Sequence, residues 1–417
     1  LDLPRLVPIR VHMDCPTVED VGEALSREFD RIGVVRQVKA GERIAVTAGS
    51  RGIYQIDRIL KCVIDRLKSA GADPFIVPAM GSHAGATAEG QKAFIASYGV
   101  TEKAMGCEIL SSMETVELGT TALGVHCYCD RHAYEADGIV AVNRVKPHTG
   151  FSGTIGSGLL KMLTIGLGKR KGAEHVHQRG VDVGYEEAIR DGGLFALANL
   201  PVRFGVAIVE NQRGETAHVE AALPEHFEAT DERLLPQARR LMGRLPGDFL
   251  HLLIVDAMGK NISGTGMDPN VIGRGMQQEK VALNTPEVLR VFVRDLTEET
   301  HGNAIGIGFA DFTTDRLVAK IDKQATWTNV LASVAPWEAH IPIHYPSDRE
   351  AIETALETAG CTPTTDMRII RIRDSEHIDT MLVSESLFAD LKDRDDVEAT
   401  GEPCEMTFDD DGNLADW

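Results

Sequence analysis

The sequence predicts an α/β fold of two α/β domains with a cleft between them, the N-terminal domain carrying a parallel, Rossmann-like sheet. Three observations carry this. The chain has 417 residues, more than a single core ordinarily organises. Short apolar strand-like runs alternate with helical periodicity at the spacing of βαβ units. The break Leu245-Pro246-Gly247-Asp248 follows a charged helix and precedes a new strand, which sets the domains at 1–246 and 247–417.

The first strand of the pattern is Arg43 to Ala48, and the loop Gly49-Ser50-Arg51-Gly52 follows it. Ile56, Ile59, Leu60, Val63, Ile64 and Leu67 recur on one helical face, and Gly71 stops the helix. Phe75 to Met80 is the next strand, leading into Gly81-Ser82-His83-Ala84-Gly85-Ala86, after which Thr87 caps a second helix. A later strand, Gly138 to Val145, runs into Lys146-Pro147-His148. Phe204 to Glu210 continues the sheet, and Ala229 to Arg244 is a charged helix. Beyond the boundary, His251 to Asp256, Val288 to Leu296, Ala304 to Phe309 and Met367 to Ile372 read as strands, and Ser347 to Ala359 as a helix ending at Gly360.

Composition excludes several classes. Lys and Arg number 43 against 63 Asp and Glu, a net charge of −20. A nucleic acid is repelled by such a surface on average. The seven cysteines are odd in number in a long chain, which argues against a disulfide scaffold. Cys127 and Cys129, with His126 and His132 nearby, read as an alternating strand before they read as a metal site. No apolar run is long enough to span a bilayer and no signal pattern opens the chain, so a cytoplasmic protein without a membrane partner is expected. Homo-oligomerisation is left open.

The residues suited to chemistry cluster by topology. Arg51, His83 and His148 each lie just past the carboxyl end of a parallel strand, the edge where open α/β sheets bind ligands. Arg51 suits a carboxylate or phosphate; an ordinary surface arginine is the equal alternative. His83, among small residues, and His148, stiffened by Pro147, suit proton transfer; loop histidines satisfied by backbone are the competing reading. Gly150, Gly153, Gly156 and Gly158 fall within nine residues before an apolar helix start, a pattern able to cradle phosphate without being a Walker loop. Lys161 stands alone in Leu-Leu-Lys-Met-Leu-Thr-Ile, so it is paired, neutral, covalently used or snorkelling. Lys169 lies in a Gly-flanked basic run that suits phosphate or forms an exposed turn. His175 and His177 fall on different faces if helical and on one face if extended; a helix allows one of them as a metal ligand, and a structural histidine is the commoner reading of each.

In this order and spacing the residues resemble the nickel-pincer nucleotide family of lactate racemase and related 2-hydroxyacid racemases and epimerases, best over residues 45–180. The resemblance implies that Arg51 binds the substrate carboxylate, that His83 and His148 are the two catalytic bases, and that Lys161 joins the cofactor covalently. It implies a nickel-binding histidine 16 residues beyond that lysine, which selects His177 over His175. Gly153, Gly156, Gly158 and Lys169 are then expected to hold the pincer nucleotide. The chain departs from the pattern at Ala48, Gly52 and Ala84-Gly85, and in the longer loop between His148 and Lys161. The expected activity is inversion at C2 of a 2-hydroxy acid by reversible hydride transfer. A metal-dependent hydrolase or lyase using the same histidines, and a non-catalytic binder of phosphorylated ligands, are the alternatives.

Overall fold

The computed structural model describes residues 1–49, 52–274, 285–360 and 362–417. Contacts divide the chain into two compact units, Cys15–Met242 with Ala332–Val334, and Leu1–Asp14 with Gly243–Leu331 and Ala335–Trp417. The contacts change hands at Met242 and Gly243 instead of 246/247. The first 14 residues join the second unit because strand β1 (Leu6–Val11) pairs antiparallel there.

The first unit is built on strands β2 (Arg43–Ala48), β3 (Asp73–Pro78), the hairpin β4 (Thr115–Thr120) and β5 (His126–Asp130), then β6 (Gly138–Arg144), β7 (Val202–Glu210) and β8 (Thr216–Ala222). The sheet order is β3-β2-β6-β7-β8, parallel throughout except for the β7–β8 pair. Helix Ile56–Ser69 buries the six apolar residues of its periodic face against this sheet, alongside Val46, Ile76, Val140 and Phe204. Burial of each such side chain contributes about 1.5–3 kcal/mol. Central strands buried on both faces explain the continuous apolar runs. Thr87 caps helix Ala88–Ser97 by accepting the Gly90 N–H.

In the second unit strands β9 (Phe249–Met258), β10 (Glu287–Leu296), β11 (Phe312–Thr314), β12 (Ile343–Tyr345), β13 (Ile369–Ile372), β14 (Thr380–Ser384) and β15 (Val397–Ala399) join β1 in the order β12-β11-β10-β9-β13-β14-β1-β15. The first five of these run parallel, and the pairs from β13 onward are antiparallel. The strand expected over Ala304 to Phe309 does not form. Gly306 takes φ 89°, and a Cβ on Gly308 would meet the Trp337 carbonyl at 2.1 Å, so the segment turns and closes as a short 3₁₀ helix, Ile307–Phe309. No helix among the described residues is long and apolar enough to cross a membrane.

Candidate active site

The loops after β2, β3 and β6 converge on one segment, residues 157–166. Gly49, at the end of β2, packs beside Met162, and a Cβ there would lie 3.5 Å from its Cε. Gly81 donates its N–H to the Gly166 carbonyl at 3.3 Å. Asn143 donates to the Gly158 carbonyl at 2.6 Å, and Lys146 and Ser157 exchange backbone hydrogen bonds at 3.1 and 2.9 Å. Topology therefore brings the approaches to His83 and His148 against the segment that carries Lys161. Arg51 lies outside the described residues.

Lys161 ends a short helical turn, Leu159–Lys161, that widens into a π turn over Met162–Gly166, closed by the Leu167 N–H to Met162 carbonyl bond at 2.9 Å. Such widened turns often mark functional sites. Leu159, Leu160, Met162 and Leu163 are buried, while Lys161 keeps partial access and donates to the Ser157 hydroxyl at 3.3 Å.

The glycine loop is not an open phosphate cradle. The Leu159 and Leu160 N–H groups donate to the Asp231 carboxylate at 2.9 and 3.0 Å. The Thr154 and Ile155 N–H groups donate to Glu186 at 2.8 and 3.1 Å. A Cβ on Gly158 would lie 2.3 Å from Asp231, one on Gly153 1.9 Å from Glu186, and one on Gly156 2.5 Å from the Lys146 carbonyl. These glycines make room for the protein's own carboxylates and backbone, where the sequence suggested a cofactor contact at Gly153, Gly156 and Gly158. Burial pushes the Asp231 carboxyl up to about 7, against the pull of the two N–H groups. Burial acts the same way on Glu186, but bonds from Thr154, Ile155 and Arg190 prevail and hold it below the usual carboxylate range.

Lys169 is also placed otherwise than expected. Its ammonium is fully buried, 3.1 Å from Asp130 Oδ2 and 3.1 Å from Gln91 Oε1, and it donates to the Pro78 carbonyl. The buried ammonium is thus enclosed by the protein's own acceptors. Burial lowers its pKa, and Asp130 opposes that shift. Gln91, itself fully buried, donates to the Gly81 and His83 carbonyls at 3.0 and 3.4 Å. Lys169 thus anchors the His83 loop from behind. That loop is strained: Ala84 and Ala86 both take φ 52°.

His148 receives the Gly150 N–H on Nδ1 at 3.0 Å and stacks on buried Phe151 with ring centroids 4.4 Å apart. Phe151 faces Tyr185 at 6.5 Å, and Tyr185 lies 6.4 Å from His177. A ladder of rings therefore links His148 to His177. His177 lies on helix Lys169–Val183, and its Nδ1 pairs with the Ala332 carbonyl at 3.0 Å, which requires the proton on Nδ1 and leaves Nε2 the acceptor. The ring keeps some exposed surface, but the atoms packed around it desolvate it and push its pKa down to about 4. The Ala332 bond opposes this and the nearby Lys161 charge adds to it. Lys161 and His177 are thus within electrostatic reach. His175, two residues earlier, points elsewhere and stacks with Tyr128 at 5.4 Å. Cys127 and Cys129 are buried thiols on β5, and burial pushes Cys127 up to about 12. Among the described residues no group of three His, Cys, Asp or Glu side chains is placed to hold a metal ion.

Asp231, Glu186, Gln91 and Asp130 were not singled out from sequence. Each acts on a segment far away in the chain, and no local pattern announces such a partner.

Fold and site together define a two-domain α/β protein whose candidate site residues His83, His148 and Lys161 gather at the carboxyl edge of the N-terminal sheet. Residues 5–187 match the lactate racemase N-terminal domain family. The structure is similar to the lactate racemase apoprotein of Thermoanaerobacterium thermosaccharolyticum, with TM-score 0.54 and 14% identity over 89% of this chain and 99% of that one. It is also similar to a protein of Thermotoga maritima, with TM-score 0.51 and 12% identity over 74% of this chain and 82% of that one. No curated protein matches. Residues 5–187 are thus lactate racemase-like in sequence, and the two solved structures share the fold.

Proposed function

We propose that this protein is a racemase or epimerase of a 2-hydroxy acid that works with a nickel-pincer nucleotide joined to Lys161. The observation that carries the reading is His177, held through Nδ1 and desolvated in the field of Lys161. A lysine on an apolar π turn lies within electrostatic reach of an imidazole that stays neutral and commits Nδ1 to a carbonyl. A neutral histidine oriented through its other nitrogen is the usual form of a metal ligand. These two residues fit the group, with Lys161 as the covalent anchor and His177 as the nickel ligand. The group's sulfur and carbon donors would complete a coordination sphere that the protein alone does not.

When bound, the cofactor supplies a hydride acceptor, which a 2-hydroxy acid needs because its α-hydrogen is too weakly acidic to leave as a proton. The chain's own residues do the rest. His83, on its strained loop, takes the hydroxyl proton and returns it. His148 faces the same chemistry from the β6 loop. Arg51 holds the carboxylate through paired hydrogen bonds. The hydrolase reading lacks a third protein ligand among the described residues. The phosphate-binder reading loses its cradle to Asp231 and Glu186.

The test is intact mass and elemental analysis of protein made in a host that assembles the pincer nucleotide, followed by chiral assay on 2-hydroxy acids. A nucleotide-sized adduct on Lys161 with stoichiometric nickel and inversion at C2 is expected. An unmodified chain carrying zinc or iron under the same conditions overturns the proposal.

A further inference from the structure

We propose that Gln91, turned and held by Lys169, is the positioning residue of His83. The proposal rests on the reaction above, in which His83 exchanges the hydroxyl proton. One buried pair of side chains takes three carbonyls on the path from the end of β3 to that histidine. Lys169 Nζ donates to the Pro78 carbonyl, and Gln91 Nε2 donates to those of Gly81 and His83 at 3.0 and 3.4 Å. Both side chains are fully buried, where a lost hydrogen bond is most costly.

The orientation of the amide is forced. An ammonium only donates, so it faces Oε1, 3.1 Å away. A carbonyl only accepts, so the Nε2 hydrogens face Gly81 and His83. An amide turned over would set donors against the ammonium and its oxygen against two carbonyls. Asp130, 3.1 Å from Lys169 Nζ, supplies the counter-charge. Gln91 is itself fixed on helix Ala88–Ser97, where its N–H donates to the Thr87 carbonyl at 3.0 Å.

The backbone points the same way. Lys169 opens its helix at φ 53°, a left-handed conformation that glycine would hold at lower cost. The strain goes with what the lysine side chain reaches. Ala84 and Ala86, just past His83, are strained too, and such conformations persist only where their surroundings over-determine them. The clamp does this from the near side of the loop. A misplacement of about 1 Å costs about 10²-fold in rate, because a base works only within reach of its proton. Gln91 acts through His83, so its loss falls on kcat and leaves KM little changed.

The experiment uses the full chain with ¹³C-labelled histidine, His83→Gln assigning the His83 ring signal and urea unfolding confirming the fold. In Gln91→Met the His83 signal is expected to shift and broaden while that of His12 stays. An unmoved His83 signal overturns the proposal. In cofactor-loaded enzyme the same variant is expected to lose about 10²-fold in kcat at nearly constant KM. Wild-type kcat, or a loss confined to KM, overturns it. If Gln91→Met does not fold, Gln91→Glu keeps an acceptor for Lys169, lacks the paired donors, and decides by the same readings. If the loaded wild-type chain inverts no 2-hydroxy acid, the proposed reaction fails, and the ring signal alone decides whether Gln91 positions His83.

Discussion

Asp231 accepts the backbone N–H of Leu159 at 2.9 Å across 72 residues of chain, and its other oxygen takes the N–H of Leu160. A carboxylate from a distant helix therefore occupies the place where an incoming phosphate would bind, and it fixes the turn that presents Lys161. The helix N-terminus favours that negative charge, while burial disfavours it.

Asp231 makes stability depend on pH. Its folded pKa, about 7, lies above its ordinary value of 3.8. The native chain thus binds more protons between those values, and the stability this group contributes is full below the lower one and lost as pH rises through the upper one. Asp231→Asn is expected to flatten that slope in a series of melting temperatures from pH 4 to 7. Glu338, in the second unit, which burial also pushes up to about 7, supplies a residual slope. An unchanged profile in the variant would reject the assignment.

Gly158→Ala places a methyl 2.3 Å from the Asp231 carboxylate. The expected cost is about 1–3 kcal/mol, as for overpacking elsewhere. Gly85→Ala has open space around it and strains only a φ of 70°, so its cost is about 1 kcal/mol. Urea unfolding of the two variants ranks them.

Lys169→Met leaves Asp130 buried without its cation, with an expected loss of about 3–5 kcal/mol. Adding Asp130→Asn is expected to recover part of it, a coupling that a double-mutant cycle measures. If Lys169 were a surface ligand contact, the single variant would unfold at the wild-type urea concentration.

Lys161→Ala is expected to abolish the covalent adduct, seen as loss of added mass. His177→Ala is expected to keep the adduct but lose nickel, seen by elemental analysis. Retention of stoichiometric nickel in His177→Ala would remove His177 from the metal site.

Much of the first sheet was legible beforehand. The helix face from Ile56 to Leu67 and strand β2 appear where periodicity puts them, because both obey local repeats of 3.6 and 2 residues. The strand-end positions of His83 and His148 follow from parallel topology alone. The burial of Lys169 is not legible in the sequence, because its Gly-flanked setting looks exposed. Its burial depends on Pro78, Gln91 and Asp130, three residues no nearer than 39 positions away, none of which changes the local pattern. Ala304 to Phe309 has a strand's composition, but Gly306 and Gly308 serve a turn and a close approach that only the packed Trp337 segment reveals.

By itself, then, the sequence determined the alternation of strands and helices, the sheet edge at which His83 and His148 lie, and the order of lysine and histidine that resembles one family. These are properties of short-range pattern and chain order. Tertiary structure decided what each side chain meets there: Asp231 and Glu186 in the glycine loop, Asp130 beneath Lys169, and the Gly150 amide on one nitrogen of His148. Carboxylates and amides saturate whichever polar groups folding brings within about 3 Å. For the loop carboxylates and for Lys169, that proximity is set by packing between segments far apart in the chain.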